Sequence, residues 1–191
     1  VDFLNLNESS SVVEVAANDG YLLQYFKQKQ TPCYGIEPTH STANAARDKG
    51  IDIIEEFFGV NEAKELKNTK GCVDLIVANN VLAHVPDIND FVRGFSILLK
   101  PEGVATFEFP HLLNLISKNQ FDTIYHEHYS YLSLSSVKTI FENNGLCVFK
   151  VDTLPTHGES LRVFAQRLDT KNRLVESSVQ GLINIEEKAG V

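Results

Sequence analysis

Short apolar, β-branched runs alternate with amphipathic stretches along most of the chain, from Ser11 to Phe149. This alternation is typical of an α/β fold, in which a mostly parallel sheet carries helices on both faces. Near its end, Leu146–Asp152 and Glu159–Arg167 are two strand-like runs separated by a short turn. We predict that these two runs form an antiparallel pair at the C-terminal end of the sheet.

This alternation predicts where each strand and helix begins and ends. The predicted strands are Ser11–Ala16, Cys33–Glu37, Ile51–Ile54, Val73–Asn80, Gly103–Pro110, Leu146–Asp152 and Glu159–Arg167. The predicted helices are Tyr21–Lys29, Ser41–Gly50, Asn61–Lys67, Asp90–Leu99 and Ser133–Asn144. Gly50 and Gly145 stand where a left-handed residue commonly ends a helix.

The C-terminal tail, residues 168–191, is polar and then helical. Its apolar residues Leu182, Ile183 and Ile185 need a surface to pack against. We therefore assign residues 1–167 to one domain and expect 168–191 to begin a further C-terminal region.

Composition excludes several classes of protein. The 191 residues suffice for one compact domain, and 17 Lys and Arg against 25 Asp and Glu give a formal charge of −8. This acidic balance argues against phosphate-driven binding of nucleic acid. No apolar run approaches the roughly 20 residues that cross a bilayer, and the first ten residues lack the layout of a secretory signal. We expect a cytoplasmic protein without a nucleic-acid or membrane partner, and the oligomeric state stays open.

Two segments at predicted strand ends suit a nucleoside. Glu14 ends the first strand, and Asn18 and Gly20 lie in a small-residue turn before the first helix. Such a turn lets ligand atoms approach the backbone, and the start of a helix offers free N–H donors. Glu37 ends the second strand, where a carboxylate can accept both hydroxyl hydrogens of a ribose. Because the loop lacks the GxGxxG pattern that a pyrophosphate requires, we infer an adenosine-type cofactor without phosphates, which S-adenosylmethionine (SAM) matches.

A polar, aromatic stretch follows the fifth strand and contains Tyr125, Glu127 and His128. It can fold over the same strand ends, and His84, just past the fourth strand, reaches that side too. A histidine can remove a proton from a carbon next to a carbonyl while a tyrosine hydroxyl stabilises the developing enolate oxygen. We therefore interpret this stretch as an acid/base site, with a structural rim of half-buried rings as the alternative.

A metal site is a further alternative for the same stretch. His126 and His128 are two residues apart, and with Glu108 or His111 they could bind zinc or iron if both lay on one extended edge. The three cysteines lie far apart without a CxxC pair, so we predict buried, reduced thiols and no cysteine-rich zinc site.

Five blocks of the sequence closely resemble one enzyme family. They are VVEVAANDGYLLQYF, YGIEPT, ANNVLAHVPD, FDTIYHEHYSYLS and THGESLRVFAQR, in this order. Together they resemble the class I SAM-dependent methyltransferases that include the sugar C-methyltransferases, which act on nucleotide-linked 4-keto-deoxysugars. The resemblance runs from about Ser11 to Arg167 and implies a Rossmann-like fold. It also implies a truncated, central domain, because family members are about twice as long, with a zinc-binding region before this domain and an α/β region after it.

The resemblance also implies roles for single residues. The implied cofactor-binding residues are Glu14, Asn18, Gly20, Glu37 and Asn79. Those implied around the sugar are His84, Tyr125, Glu127 and His128, with His128 as the general base. His157, Ser160 and Arg162 are implied on the substrate side, where Arg162 would meet a phosphate.

Two positions depart from the family pattern. Ala16 replaces a glycine or small residue of the common methyltransferase motif, and Glu159 replaces a second glycine. The resemblance implies an enzyme that methylates a carbon next to a ketone in a nucleotide-linked deoxysugar through a histidine-assisted enolate. The alternative is a SAM-binding module that is inactive without its flanking regions.

Overall fold

The computed structural model describes residues 4–155 and 159–191, and its strands form one sheet of seven. The strands are β1 (Val12–Val15), β2 (Cys33–Ile36), β3 (Asp52–Ile54), β4 (Val73–Asn79), β5 (Leu99–Pro110), β6 (Leu146–Leu154) and β7 (Ser160–Arg167). Their order is β3-β2-β1-β4-β5-β7-β6, and β1 to β5 pair in parallel. β7 is antiparallel to both β5 and β6, which confirms the predicted antiparallel pair.

Helices cover both faces of this sheet. They are α1 (Leu23–Gln28), α2 (His40–Asp48), α3 (Val60–Thr69), α4 (Ile88–Leu98), α5 (Leu112–Ser117), α6 (Leu134–Asn143) and α7 (Ser177–Ala189). Buried residues of α1 and α2 pack on one face, and those of α3, α4, α6 and α7 pack on the other. The predicted α/β, Rossmann-like architecture is therefore confirmed. Gly50 and Gly145 are left-handed, with φ of +72° and +84°, as predicted.

Three aromatic rings in contact join the sheet to two of its helices. The ring centroids of Phe95 in α4 and Phe141 in α6 each lie 4.6 Å from that of Phe107 in β5. All three rings are fully buried. Their burial fixes both helices on the sheet because aromatic side chains remove more apolar area from water than most others.

The tail helix α7 docks on the same core. Val179 and Ile183 are buried with residues of α6 and β6, whereas Ile185 is 55% exposed. The apolar face predicted for the tail is thus largely used within the described structure. The division of the chain at residue 167 stays a prediction.

Two further findings concern the helices and the thiols. None of the helices in the described ranges is long and apolar enough to cross a membrane. The three cysteines are free thiols, but only Cys147 is buried, while Cys33 and Cys72 are half-buried. The prediction of buried thiols is therefore wrong for Cys33 and Cys72. Cys33 is the first residue of β2 and Cys72 directly precedes β4, so both lie at strand ends rather than in the middle of the sheet.

The strand order also decides where a ligand can bind. β1 lies between β2 and β4, so the direction of strand succession reverses between β1 and β4. In open α/β sheets, ligands bind outside the carboxyl ends of the strands at this reversal.

Candidate functional site

The loop after β1 has a glycine-type backbone although it contains a single glycine. Ala16, Asn18 and Gly20 have φ of +57°, +51° and +73°. The backbone N–H of Asn18 donates to Glu37 Oε2 at 3.0 Å, and that of Gly20 donates to Ala17 O at 2.9 Å. The free N–H donors predicted at this turn are therefore partly used within the loop and by the neighbouring strand.

Gly35 in β2 makes room for this loop. A Cβ at this position would lie 2.5 Å from the Cβ of Ala17 and 2.5 Å from Cδ1 of Ile53. Both contacts are far below van der Waals distance, so any side chain here displaces the loop or β3. The sequence offered no signal for this role because a glycine in a strand is not distinctive by itself.

We expect Gly35→Ala to lower the free energy of unfolding by about 1–3 kcal/mol through overpacking. Gly181→Ala is the matched control, because a Cβ there, in α7, meets no atom within 4 Å. The control should gain about 0.5–1 kcal/mol from helix propensity. Urea unfolding of both variants measures the difference, and an unchanged stability of Gly35→Ala would show that the loop does not rest on β2 in this way.

Glu37 links the loop to the end of β2. Its Oε1 accepts a hydrogen bond from Thr39 N at 2.8 Å, and its Oε2 accepts from Asn18 N at 3.0 Å. The side chain is buried. Since each carboxylate oxygen has two lone pairs, both oxygens can still accept from a ligand hydroxyl.

Glu14 is a buried carboxyl group at the end of β1. Its Oε2 has no hydrogen-bond partner among the described residues. Burial raises the pKa of Glu14 to about 8, and the nearby charge of Asp19 adds to this effect. The group is therefore mostly protonated at pH 7, and a cationic ligand group would relieve its isolation.

Three rings meet beyond the ends of β4 and β5. The hydroxyl of Tyr125 lies 3.0 Å from His128 Nε2, and the His84 and His128 ring centroids are 4.6 Å apart. These residues line a cavity of about 490 Å³. Glu127 is exposed and is not among the described residues that line the cavity. The structure therefore does not bring its side chain together with the other residues predicted around the sugar.

The tautomer of His128 follows from its hydrogen bonds. Nδ1 lies 2.7 Å from the carbonyl oxygen of Thr123, which can only accept, so Nδ1 carries the proton and donates it. Nε2 is then the acceptor for the Tyr125 hydroxyl. His128 therefore holds a basic lone pair on Nε2 in the cavity wall.

His84 is kept neutral near pH 7. Burial lowers the pKa of His84, and the neighbouring His128 lowers it further. A hydrogen bond to the backbone of Glu127 and the charge of that residue oppose the shift without cancelling it. A neutral His84 has one N–H, which bonds to the backbone of Glu127, so the ring adds no positive charge beside His128.

The cavity also contains residues that the sequence analysis missed. They are four polar residues of its wall, namely Asn80, Gln120, Asp122 and Thr123. Asn79, predicted as a cofactor residue, lies elsewhere, in a second cavity of about 480 Å³ that Glu108 and Arg162 also line. Asn79 is the last residue of β4, whereas Asn80 follows the strand in a left-handed conformation, with φ of +53°. The two neighbouring side chains therefore reach different cavities.

The predicted substrate residues of β7 are not brought to the ring cavity. Arg162 forms an ion pair with Glu108 on the neighbouring strand. Ser160 is fully buried, and its hydroxyl has no partner among the described residues. His157 lies outside the described residues. Glu159 takes the left-handed conformation that glycine favours, with φ of +78°, and its carboxylate pairs with Lys118 at 2.6 Å.

The residues proposed for a metal site are not assembled. Glu108 is engaged by Arg162, and His111 lies 2.7 Å from Glu186. Within residues 4–155 and 159–191, no group of three His, Cys, Asp or Glu side chains is placed to hold an ion. The residues around His128 therefore fit acid/base chemistry better than metal ligation.

Known sequences are similar to most of this chain. A family model described as "Methyltransferase domain" matches residues 1–151. The C-methyltransferase NovU of Streptomyces niveus is 39% identical over 165 residues, covering 86% of this chain and 39% of that protein. The mitochondrial ubiquinone biosynthesis O-methyltransferase of Bos taurus is 23% identical over 152 residues, covering 72% of this chain and 41% of that protein. The chain thus spans about two fifths of the length of these curated relatives.

Solved structures share the architecture at low sequence identity. Magnesium protoporphyrin IX methyltransferase from Synechocystis PCC 6803 with bound SAH has a TM-score of 0.65 and 15% identity, covering 85% of this chain and 76% of that one. A SAM-dependent methyltransferase from Aquifex aeolicus has a TM-score of 0.61 and 16% identity, covering 87% and 86%.

Proposed function

Because this chain belongs to the methyltransferase-domain family, we propose that it transfers a methyl group from SAM to a carbon atom next to a ketone. The observation that carries the proposal is the Tyr125–His128 hydrogen bond, at the sheet edge that also holds Glu14 and Glu37. The relative NovU is named a C-methyltransferase, which supports carbon as the acceptor.

The residues at the ends of β1 and β2 fit SAM as cofactor. Glu14 offers a buried carboxyl oxygen without a partner, which suits the ammonium group of the cofactor. Glu37 keeps lone pairs for the two ribose hydroxyls. Asn18 and Gly20 shape the loop between them, and Asn79 ends the adjacent strand β4. When bound, SAM supplies a methyl group that the positive charge on its sulfur activates.

His128 is the general base in this proposal. Its Nε2 takes the proton from the substrate carbon, while Nδ1 stays bonded to the Thr123 carbonyl and holds the ring in place. The hydroxyl of Tyr125 leaves Nε2 when substrate binds and donates to the ketone oxygen, where it stabilises the enolate. Neutral His84 supplies the second donor by turning its one N–H from the Glu127 backbone to the same oxygen. The enolate carbon is then the nucleophile, and His128 releases its proton to solvent after transfer.

A nucleotide-linked 4-keto-deoxysugar is the proposed substrate class. The resemblance to sugar C-methyltransferases supports it, and Asn80, Gln120 and Asp122 supply neutral and anionic acceptors that suit ring hydroxyls. No lysine or arginine is found among the described residues of the cavity wall. The sugar ring, rather than its phosphates, therefore fits this cavity.

The test uses thymidine-diphosphate-linked 4-keto-6-deoxyglucose as the probe. In D₂O without SAM, NMR should show deuterium replacing hydrogen on a carbon beside the ketone. With methyl-labelled SAM, the label should appear on that carbon. A folded protein that binds SAM but gives neither exchange nor transfer with a panel of keto-sugar nucleotides would contradict the proposed reaction, and label on oxygen would contradict the carbon acceptor.

One observation favours a second candidate, a SAM-binding module that requires further chain for turnover. The described cavity wall has no cation for the phosphates of a nucleotide sugar, and the relatives are more than twice as long as the matched region. In that case SAM binds this chain normally, and exchange and transfer appear only when the flanking regions of the full-length protein are added.

A further inference from the structure

The segment of residues 112–131 connects β5 to α6 and carries Tyr125 and His128. Its two ends are held side by side. His111 and Leu132 form a parallel β-bridge, and Leu112 N donates to Leu132 O at 3.0 Å. Segment 112–131 is therefore a closed loop, and the position of the catalytic rings depends on how its base is fixed.

One carboxylate reaches both sides of that base. Glu186 in α7 is fully buried, and its Oε1 lies 2.7 Å from His111 Nε2 and 2.6 Å from Leu134 N. Its Oε2 accepts from Ser135 N at 2.8 Å and from the Ser135 hydroxyl at 2.6 Å. His111 precedes the segment, whereas Leu134 and Ser135 form the first turn of the helix that follows it.

We call the contacts of Glu186 with His111, Leu134 and Ser135 the clamp, and their chemistry makes it strong. The first backbone N–H groups of a helix have no partner within the helix, and a negative charge there is also favoured by the helix dipole. Burial opposes ionisation of Glu186, but hydrogen bonds from His111 and Ser135 outweigh it and lower the pKa of this carboxyl. A fully buried charge with four donors holds its partners in one geometry, because leaving any donor unpaired is costly.

We propose that Glu186 is a positioning residue that holds segment 112–131, and with it Tyr125 and His128, in the arrangement needed for proton abstraction. This inference rests on the proposed function. It assigns a catalytic requirement to α7, which lies outside the residues that the methyltransferase-domain model matches. The middle of the segment has a separate anchor, since Tyr129 N donates to Ala83 O at 2.9 Å, so loosening the base should shift the rings without releasing the whole loop.

The first test compares Glu186→Gln with Glu187→Gln, its exposed neighbour on the same helix. The side-chain amide introduced by Glu186→Gln would turn N–H groups of its own toward some of the four donors. We expect the turnover number, kcat, to fall on the order of tenfold or more, because misplacement of a catalytic group acts on the chemical step. SAM affinity should stay within about twofold, since Asn18 in the loop after β1 and Glu37 at the end of β2 are bonded to each other rather than to this segment.

Replacement of His111 gives a second pair of variants, which changes one contact of Glu186 instead of all four. His111→Leu removes one of the four partners of Glu186, whereas His111→Gln keeps a donor at the same place. We expect His111→Leu to lower kcat and His111→Gln to recover most of it. A role limited to stability would instead lower the unfolding temperature of His111→Leu and leave its kcat below that temperature equal to that of His111→Gln.

Amide hydrogen exchange reports on the clamp without any need for activity. Exchange across residues 112–131 should rise on the order of tenfold in Glu186→Gln and stay unchanged across residues 12–37. Equal exchange and equal kcat in Glu186→Gln and Glu187→Gln would overturn the inference, as would faster exchange with unchanged kcat. A wild-type protein that neither exchanges nor methylates the keto-sugar probe overturns the proposed function, and the catalytic role of Glu186 with it.

Discussion

Replacing His128 by alanine is expected to lower turnover on the order of 10²-fold or more. The variant loses the proposed base, the Nε2 of a ring whose Nδ1 is bonded to Thr123 O and whose Nε2 accepts from the Tyr125 hydroxyl until substrate binds. SAM affinity should be nearly unchanged, because the residues proposed for the cofactor lie at the ends of β1 and β2. Tyr125→Phe should give a loss of similar size, since it removes the donor to the enolate oxygen.

The adjacent His126 supplies a matched control. It is exposed and is not among the described residues that line the cavity. His126→Ala should therefore keep wild-type turnover in the same methyl-transfer and deuterium-exchange assays. Equal losses in the His126 and His128 variants would favour the metal site formed by both histidines, and wild-type turnover in His128→Ala would refute its role as base.

The free energy of unfolding should depend on pH through Glu14. Below about pH 4.5 the carboxyl is protonated in both the folded and the unfolded chain and contributes no difference. Between that pH and about 8, where the folded protein keeps a proton that the unfolded chain has lost, stability falls as pH rises. The slope approaches about 1.4 kcal/mol per pH unit, and the loss is complete above the folded pKa.

Glu14→Gln removes this titration, so the variant should be more stable than wild type by a few kcal/mol at pH 9 and nearly equal to it at pH 5. Urea unfolding across that range measures both curves, with Glu8→Gln, at an exposed position, as the control. A constant difference between Glu14→Gln and wild type from pH 5 to 9 would mean that Glu14 titrates normally in the folded protein.

Local patterns predicted the elements on which the site is built. Hydrophobic periodicity indicated β1 and β2, near whose carboxyl ends Glu14 and Glu37 lie, and Gly50 and Gly145 ended their helices as expected. The resemblance brought His84, Tyr125 and His128 together, and the structure places these three rings around one cavity. Such predictions succeed because hydrophobic periodicity, helix caps and strand ends depend on residues that are close together in the sequence.

Contacts between distant parts of the chain were not predictable in this way. The ion pair of Arg162 with Glu108 joins residues 54 positions apart. It engages the guanidinium group that the resemblance implied for a phosphate. The pairing of His111 with Glu186 spans 75 positions. Which of Asn79 and Asn80 enters the cavity depends on where β4 stops, and a strand end is uncertain by more than the one residue that decides it.

Calorimetric titration of SAM into the EDTA-treated protein tests the central claim most directly. Wild type should bind in the micromolar range, and Glu37→Ala should weaken binding by about 1–3 kcal/mol, the scale of lost hydrogen bonds to a charged group. Glu65→Ala, at an exposed position in α3, should bind like wild type. A folded protein that does not bind SAM, or a Glu37→Ala variant that binds it as tightly as wild type, would contradict the proposed cofactor site at this sheet edge.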